Sequence, residues 1–154
     1  MSLQEELKLK TPPATLAHEA FLNIYFTGAC IKKQAARFLG TFGLSDAQFN
    51  LLMMLKHQGV GEGLGQVQLG EMLLVNRANV TGLVDRLEKA GLVRRDEDPE
   101  DRRANRVQLT TAGRELIDRV DPLYGQEMHR IMGVLNKIEI YEVIRSMEKI
   151  RAKL

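Results

Sequence analysis

The run from Val67 to Thr110, VQLGEMLLVNRANVTGLVDRLEKAGLVRRDEDPEDRRANRVQLT, constrains this chain more than any other stretch. Val80, Leu83, Val84 and Leu87 recur at i, i+3, i+4 and i+7, which predicts a helix with one buried stripe. Asn76 precedes the stripe as a cap, since its short side-chain oxygen can accept an otherwise unpaired amide hydrogen of the first turn. Gly91 follows it as a left-handed stop. Two β-prone runs come next, Leu92-Val93-Arg94-Arg95 and Arg106-Val107-Gln108-Leu109, separated by the polar segment DEDPEDRRAN. Upstream, a shorter helix would turn Leu69, Met72 and Leu73 inward and place Gln66 and Gln68 at its anion-favouring start. Helix, turn, second helix and hairpin make a helix-turn-helix over about 67–91 and a wing over about 92–110. The local pattern equally fits an amphipathic surface helix of a small helical protein.

The face opposite the stripe carries Arg77, Ala78, Asn79, Thr81, Gly82, Asp85, Arg86 and Lys89. Small residues let a backbone approach the DNA major groove closely, and Arg and Asn make paired hydrogen bonds to guanine and adenine edges. Arg77, Asn79, Thr81 and Arg86 are therefore the candidate major-groove or adjacent phosphate contacts. Arg102 and Arg103, at the tip of the hairpin, suit the narrow minor groove and its strong negative potential. Two competing roles stand beside these. Arg86 can pair with Asp85, Glu88 or a wing acid, and Arg94 and Arg95 can form a solvated strand face.

"NRANVTGLVDRLEKAGLVRR" followed by "DPEDRRANRVQLTTAG" resembles the MarR family of bacterial transcriptional regulators. The family's Asp-x-Arg wing signature matches Asp101-Arg102-Arg103, and its Leu-Thr-x-x-Gly exit matches Leu109 to Gly113. The resemblance extends from about Leu16 to the C-terminus. It implies a mainly α (α+β) winged helix-turn-helix, residues 14–154, whose terminal helices (about 14–39 and 111–154) interlock in a homodimer. The partner it implies is double-stranded DNA carrying an inverted-repeat operator. Two recognition helices roughly 34–36 Å apart would meet successive major grooves on one face of the duplex. The resemblance also makes Arg103 the wing-tip residue and Asp101 the group that orients wing and recognition-helix arginines. It implies a repressor released by a small aromatic or anionic effector, held near Phe21, Tyr25, Phe49, Met53 and Arg114. Each of those five residues has plain core packing as its simpler role.

The formal net charge of +2 is modest for a DNA-binding protein, so its distribution carries the argument. From Asn76 to Arg95 five basic residues face two acids, a net +3. From Asp96 to Arg106 three arginines face five acids, a net −2. Internal pairing, in which carboxylates hold arginines in place, would reconcile an acidic wing with DNA. Glu97 and Glu100 have no such partner in view. The acidic wing is also the best support for the alternative function, a winged-helix module that binds protein instead of DNA.

The flanks supply helices with surplus apolar surface. Residues 1–13 are polar or proline-containing and read as a flexible N-terminus. From Ala14 to about Leu39 one long helix gathers Leu16, Ala20, Ile24, Ile31, Ala35 and Phe38 near one face, widened by Phe21, Tyr25 and Leu39. Ser45 with Gln48 forms a capping box. The glycines of 58–66 make a connection ahead of a short edge strand at Leu64. That loop lacks the Lys-Ser/Thr ending of a phosphate loop and the spacing of a dinucleotide fingerprint. Thr110 or Thr111 caps a helix through Leu116, Val120, Leu123, Met128 and Ile131, with a kink or break expected at Pro122. Asn136 and Glu139 cap the last helix, whose stripe is Ile140, Val143, Ile144, Met147, Ile150 and Leu154.

Several classes are argued against. No apolar run approaches the ~20 residues that span a bilayer, and no leader pattern is visible, which predicts a cytoplasmic protein without membrane partners. The single Cys30 excludes an intrachain disulfide and reads as an inert, half-buried thiol. His18, His57 and His129 have no short metal-ligand spacing, so neither a metal nor a cofactor is expected. No nucleophile–base or paired-carboxylate motif points to an enzyme.

Overall fold

The computed structural model describes residues 2–73, 77–98 and 105–154. The elements in order are α1 (Leu3–Glu6), α2 (Leu16–Gly40), α3 (Asp46–Gln58), β1 (Leu64–Gly65), α4 (Gln66–Leu73), α5 (Arg77–Lys89), β2 (Val93–Glu97), β3 (Asn105–Leu109), α6 (Thr111–Met132) and α7 (Lys137–Arg151). The chain divides into two compact units, Met1–Asn50 and Leu51–Leu154.

In the first unit, the N-terminus departs from the flexible tail expected of it. The Ser2 hydroxyl accepts from the Glu5 N–H at 3.3 Å, and the Glu5 carboxylate accepts from the Ser2 N–H at 2.7 Å. This reciprocal box satisfies two orphan donors and starts the single turn of α1, with Leu3 buried. A Ser-x-x-Glu spacing is the cause. Thr15 caps α2 by accepting from the His18 N–H at 3.1 Å. The C-terminal end of α2 buries Ala35 and Leu39, whereas Leu16, Phe21, Ile24 and Tyr25 in its N-terminal half are exposed. Gly43, at φ +72°, lets the chain fold back so that the Leu44 N–H reaches the Leu39 carbonyl at 3.1 Å. The Ser45–Gln48 box forms as expected, with bonds of 2.9 and 3.2 Å.

The second unit is built around a three-stranded antiparallel sheet in the order β1-β3-β2. Arg95 stands opposite Val107 and Asp96 opposite Arg106, while Leu64 at the other edge pairs with Val107. Strand alternation sends Val93 and Val107 inward, and both are buried. Gly63, at φ +72°, is required where the chain enters β1, because a Cβ there would lie 2.5 Å from the Val107 carbonyl oxygen. Helix α4 packs on α5, α5 on β2, and α6 on β3. The stripe Val80, Leu83, Val84 and Leu87 is buried throughout, as its spacing predicts. In α4 only Leu69 of the expected inward trio is fully buried; Met72 is exposed and Leu73 half-buried. An eight-residue helix presents only about two turns, so one leucine fills its inward face.

Thr110 is the cap of α6. Its hydroxyl accepts from the Gly113 N–H at 3.0 Å and donates to the Gly91 carbonyl at 2.6 Å. The wing exit is thereby tied to the end of α5. The buried face of α6 is Gly113, Ile117 and Val120, rotated from the expected stripe, and Leu123 is exposed. Helix α6 continues through Pro122 without a break. Pro122 has no N–H to offer the Asp118 carbonyl, so one intrahelical bond is missing there.

Beside that position, the Lys56 ammonium donates to Asp121 Oδ2 at 2.8 Å and pairs with Asp118 Oδ1 at 2.9 Å. His57 Nε2 lies 3.5 Å from the same Asp121 oxygen. The hydrogen bond from Lys56 holds the Asp121 carboxyl below the usual carboxylate range, against the opposing effect of burial. A carboxyl whose folded pKa is depressed contributes stability above its unfolded pKa and loses it as pH falls through the folded one. Asp121→Asn should therefore cost about 1 kcal/mol near neutrality, after discounting for partial exposure. The difference from the parent should vanish in acid. Urea unfolding across pH 2 to 7 checks this, and a pH-independent difference would contradict it.

Asn136 accepts from the Ile138 and Glu139 N–H groups at 2.9 and 3.1 Å, and the Glu139 carboxylate returns a bond to the Asn136 N–H at 2.7 Å. The helix so started, α7, has no buried residue.

Candidate nucleic-acid interface

The candidate face is the exposed side of α5 together with the hairpin beside it. Ala78, Asn79, Thr81, Arg86 and Lys89 are exposed there. The buried stripe behind them fixes which residues point outward. Gly82 lies on the same side, and a Cβ added to it would meet nothing within 4 Å. Arg77 is the first residue of α5. Its side chain, and the whole of Asn76, Asp101, Arg102 and Arg103, lie outside the described residues.

Thr81 Oγ1 donates to Gln66 Oε1 at 2.9 Å. This bond joins the start of the bracing helix α4 to the middle of α5. Gln68 instead turns back, and its amide oxygen accepts from the Gly65 N–H at 2.9 Å, closing the first turn of α4.

Arg95 is not the solvated strand residue expected. Its side chain is only 19% exposed and pairs with both Asp85 and Glu88 of α5. Its own backbone N–H also donates to Glu88 Oε1, at 3.0 Å. Burial opposes the Arg95 charge, but the two carboxylates outweigh it and raise its pKa above the ordinary arginine value. Because Asp85 and Glu88 are taken by Arg95, the pairing anticipated for Arg86 with them does not form. Arg86 has no ion-pair partner among the described residues, and its guanidinium is exposed.

The outer face of the hairpin holds a second set of pairs. Arg94 bonds Asp96 Oδ2 at 2.8 Å and Gln108 Oε1 at 3.2 Å, and is the solvated residue of the Arg94–Arg95 pair. Arg106 bonds Asp98 Oδ2 at 2.8 Å and Glu62 Oε2 at 3.1 Å. The hydrogen bond to Asp98 raises the Arg106 pKa. Two of the five acids that made the wing look acidic are thus neutralised within the hairpin, while Glu97 remains exposed.

The residues proposed to hold an effector are in different settings. Phe21 and Tyr25 are each 66% exposed, one turn apart on α2. Phe49 is 1% exposed and is a core side chain. Met53 is half-buried and Arg114 exposed. Cys30 is exposed, not half-buried as expected, because it lies off the side of α2 that carries Ala35 and Leu39.

Comparison with known proteins agrees with this geometry. A model of the MarR family matches residues 44–104. The HTH-type transcriptional regulator YkoM of Bacillus subtilis is 30% identical over 107 residues, covering 70% of this chain and 68% of YkoM. The chain belongs to the MarR family. PrsX of Escherichia coli, another HTH-type transcriptional regulator, is 32% identical over 111 residues. That match covers 71% of this chain and 66% of PrsX, so the chain spans about two thirds of that relative's length. The solved S. aureus MepR–DNA complex shares the fold with a TM-score of 0.79 at 24% identity, over 88% of this chain and 97% of that one. CouR of Rhodococcus jostii, solved bound to p-coumaroyl-CoA, does so with a TM-score of 0.77 at 23% identity, over 89% and 94%. In this member of the family α4 and α5 are the two helices of a winged helix-turn-helix, and β2–β3 is the stem of its wing.

Proposed function

We propose that two copies of this chain bind an inverted-repeat operator and repress transcription until a small aromatic or anionic molecule releases them. Each copy sets α5 in a major groove and its wing in the adjoining minor groove. The observation that carries the reading is the recognition helix itself, with small and hydrogen-bonding residues outward, an exposed guanidinium at Arg86, and a wing stem bonded directly to its back. Arg77, Asn79, Thr81 and Arg86 are the major-groove and phosphate residues of the proposal, and Arg102 and Arg103 those of the minor groove. Asn76 caps the helix and Asp101 orients the arginines. Phe21, Tyr25, Phe49, Met53 and Arg114 are the effector residues of the proposal. MepR, solved on DNA, and CouR, solved with an acyl-CoA, support the two halves of the proposal.

The protein is further proposed to be a cytoplasmic regulator without catalytic activity. Its relatives are named as regulators, and among the described residues no helix is long and apolar enough to cross a membrane. The protein-interaction alternative rested on the acidity of the wing. Pairing of Asp96 with Arg94 and of Asp98 with Arg106 removes much of that support.

Sequencing DNA fragments selected by the purified protein tests the reading, and an inverted repeat is the expected result. A monomer at micromolar concentration with no preference among duplexes would overturn it. On the selected duplex, Arg103→Ala should weaken binding and lower the slope of log affinity against log salt by about one unit, the loss of one released counterion. An unchanged salt titration would remove Arg103 from the interface.

Gly82→Ala should act in opposite directions on folding and binding. An interior helix glycine costs about 1 kcal/mol relative to alanine, and open space here accommodates the methyl group, so thermal stability should rise. Close approach of the backbone to the groove should be obstructed, so operator affinity should fall. Paired thermal melts and anisotropy titrations check both signs.

A further inference from the structure

Resting on the DNA-binding reading above, we propose that Arg95 is a positioning residue that sets the wing at a fixed pitch against the recognition helix, allowing both to enter their grooves together. Three bonds converge on it. Its guanidinium spans Asp85 and Glu88, which lie three residues apart on one side of α5, and its main-chain N–H donates to Glu88. Among the described residues β2 is an edge strand whose one neighbour is β3, so Glu88 occupies a donor that would otherwise face outward. The helix is therefore attached to the strand through both backbone and side chain, and neither can slide along the other without breaking a charge-assisted bond. A planar guanidinium meets two carboxylates at once; a lysine ammonium is a point charge on a flexible stem and holds that geometry less firmly.

The same arrangement has a second consequence on α5. With Asp85 and Glu88 engaged by Arg95, the neighbouring Arg86 has no acidic partner among the described residues. Removing Arg95 would release two carboxylates next to Arg86. Position and charge must therefore be separated experimentally.

Four proteins separate them: the parent, Arg95→Lys, Arg95→Met, and Arg95→Met combined with Asp85→Asn and Glu88→Gln. Each is titrated, well below its melting temperature, against the selected inverted-repeat duplex and against the same duplex with its wing-facing base pairs changed from A·T to G·C. The parent should prefer the first duplex. Arg95→Met should bind it about tenfold more weakly, within the usual range of coupling between contacting groups. It should also lose the preference between the two duplexes. Arg95→Lys should fall between. The triple variant should stay weak and undiscriminating, although no carboxylate is left unpaired. It also serves if the single methionine variant fails to fold.

Parent-like affinity and preference in the triple variant would overturn the proposal, since charge alone would then explain Arg95. A lowered melting temperature with the duplex preference intact would also overturn it, leaving Arg95 a purely structural residue. A parent that binds neither duplex would overturn the DNA-binding reading itself, and that failure is recognisable because it precedes any substitution.

Discussion

Gly113→Ala should lower the melting temperature by roughly 10 °C or prevent folding altogether. Gly113 lies in the first turn of α6, where an added Cβ would stand 1.9 Å from the Leu92 carbonyl oxygen and 2.8 Å from its carbon. Both obstructing atoms are backbone. Leu92 is also tied down, since its carbonyl accepts from the Thr110 N–H at 3.1 Å and its own N–H reaches the Leu87 carbonyl at 2.9 Å. The methyl group can be placed only by moving α6 away from the end of α5. That would strain the Thr110 hydroxyl, which bonds both Gly91 and Gly113. Overpacking costs about 1–3 kcal/mol where side chains can yield, and a backbone clash belongs at or above the top of that range. For a chain of this length each kcal/mol shifts the melting temperature by roughly 2–4 °C. Calorimetry of the purified variant checks the value, and a shift under 2 °C would show that α6 moves more freely than its bonding suggests.

Placing a charge on α7 should separate the protein into monomers and abolish specific DNA binding. Helix α7 has fifteen residues, none of them buried. Ile138 and Tyr141 are each 71% exposed and Ile144 is 47% exposed. An isolated helix shorter than ~12–15 residues is marginal in water, and most helix stability comes from packing an apolar face. A second copy of the chain is the partner proposed for that face. Ile144→Glu, alone and with Tyr141→Glu, would bury uncompensated carboxylates across the two-fold axis. Sedimentation velocity at micromolar concentration should show the parent as a dimer and the double variant as a monomer. A monomer reads only one half-site, so operator affinity should drop by about 10³-fold, toward the non-specific level. An intact dimer carrying both charges would place the interface elsewhere.

Much of this architecture is legible locally. The Val80, Leu83, Val84 and Leu87 stripe, the Gly91 stop, the Ser45–Gln48 and Asn136–Glu139 boxes and the two wing strands each depend on residues within about one or two turns of one another. The same kind of signal underlies two places where the structure differs from expectation. Ser2 and Glu5 have the spacing of a capping box, and the alternation of β2 requires that if Val93 is buried, Arg95 faces inward with it. The fully solvated pair expected at Arg94 and Arg95 ignores that period of two.

Residue order alone therefore determined the winged helix-turn-helix, the outward face of α5 and the surplus apolar surface at both ends, because each follows from periodicity and caps within a short span. Only the tertiary structure decided what the charges do. Arg95 takes Asp85 and Glu88, Arg106 joins Asp98 to Glu62, and Lys56 reaches two aspartates more than sixty residues away. A long side chain with a charged end has several acids within reach in any linear reading, and the choice among them is made by which backbones the buried leucines and valines bring together.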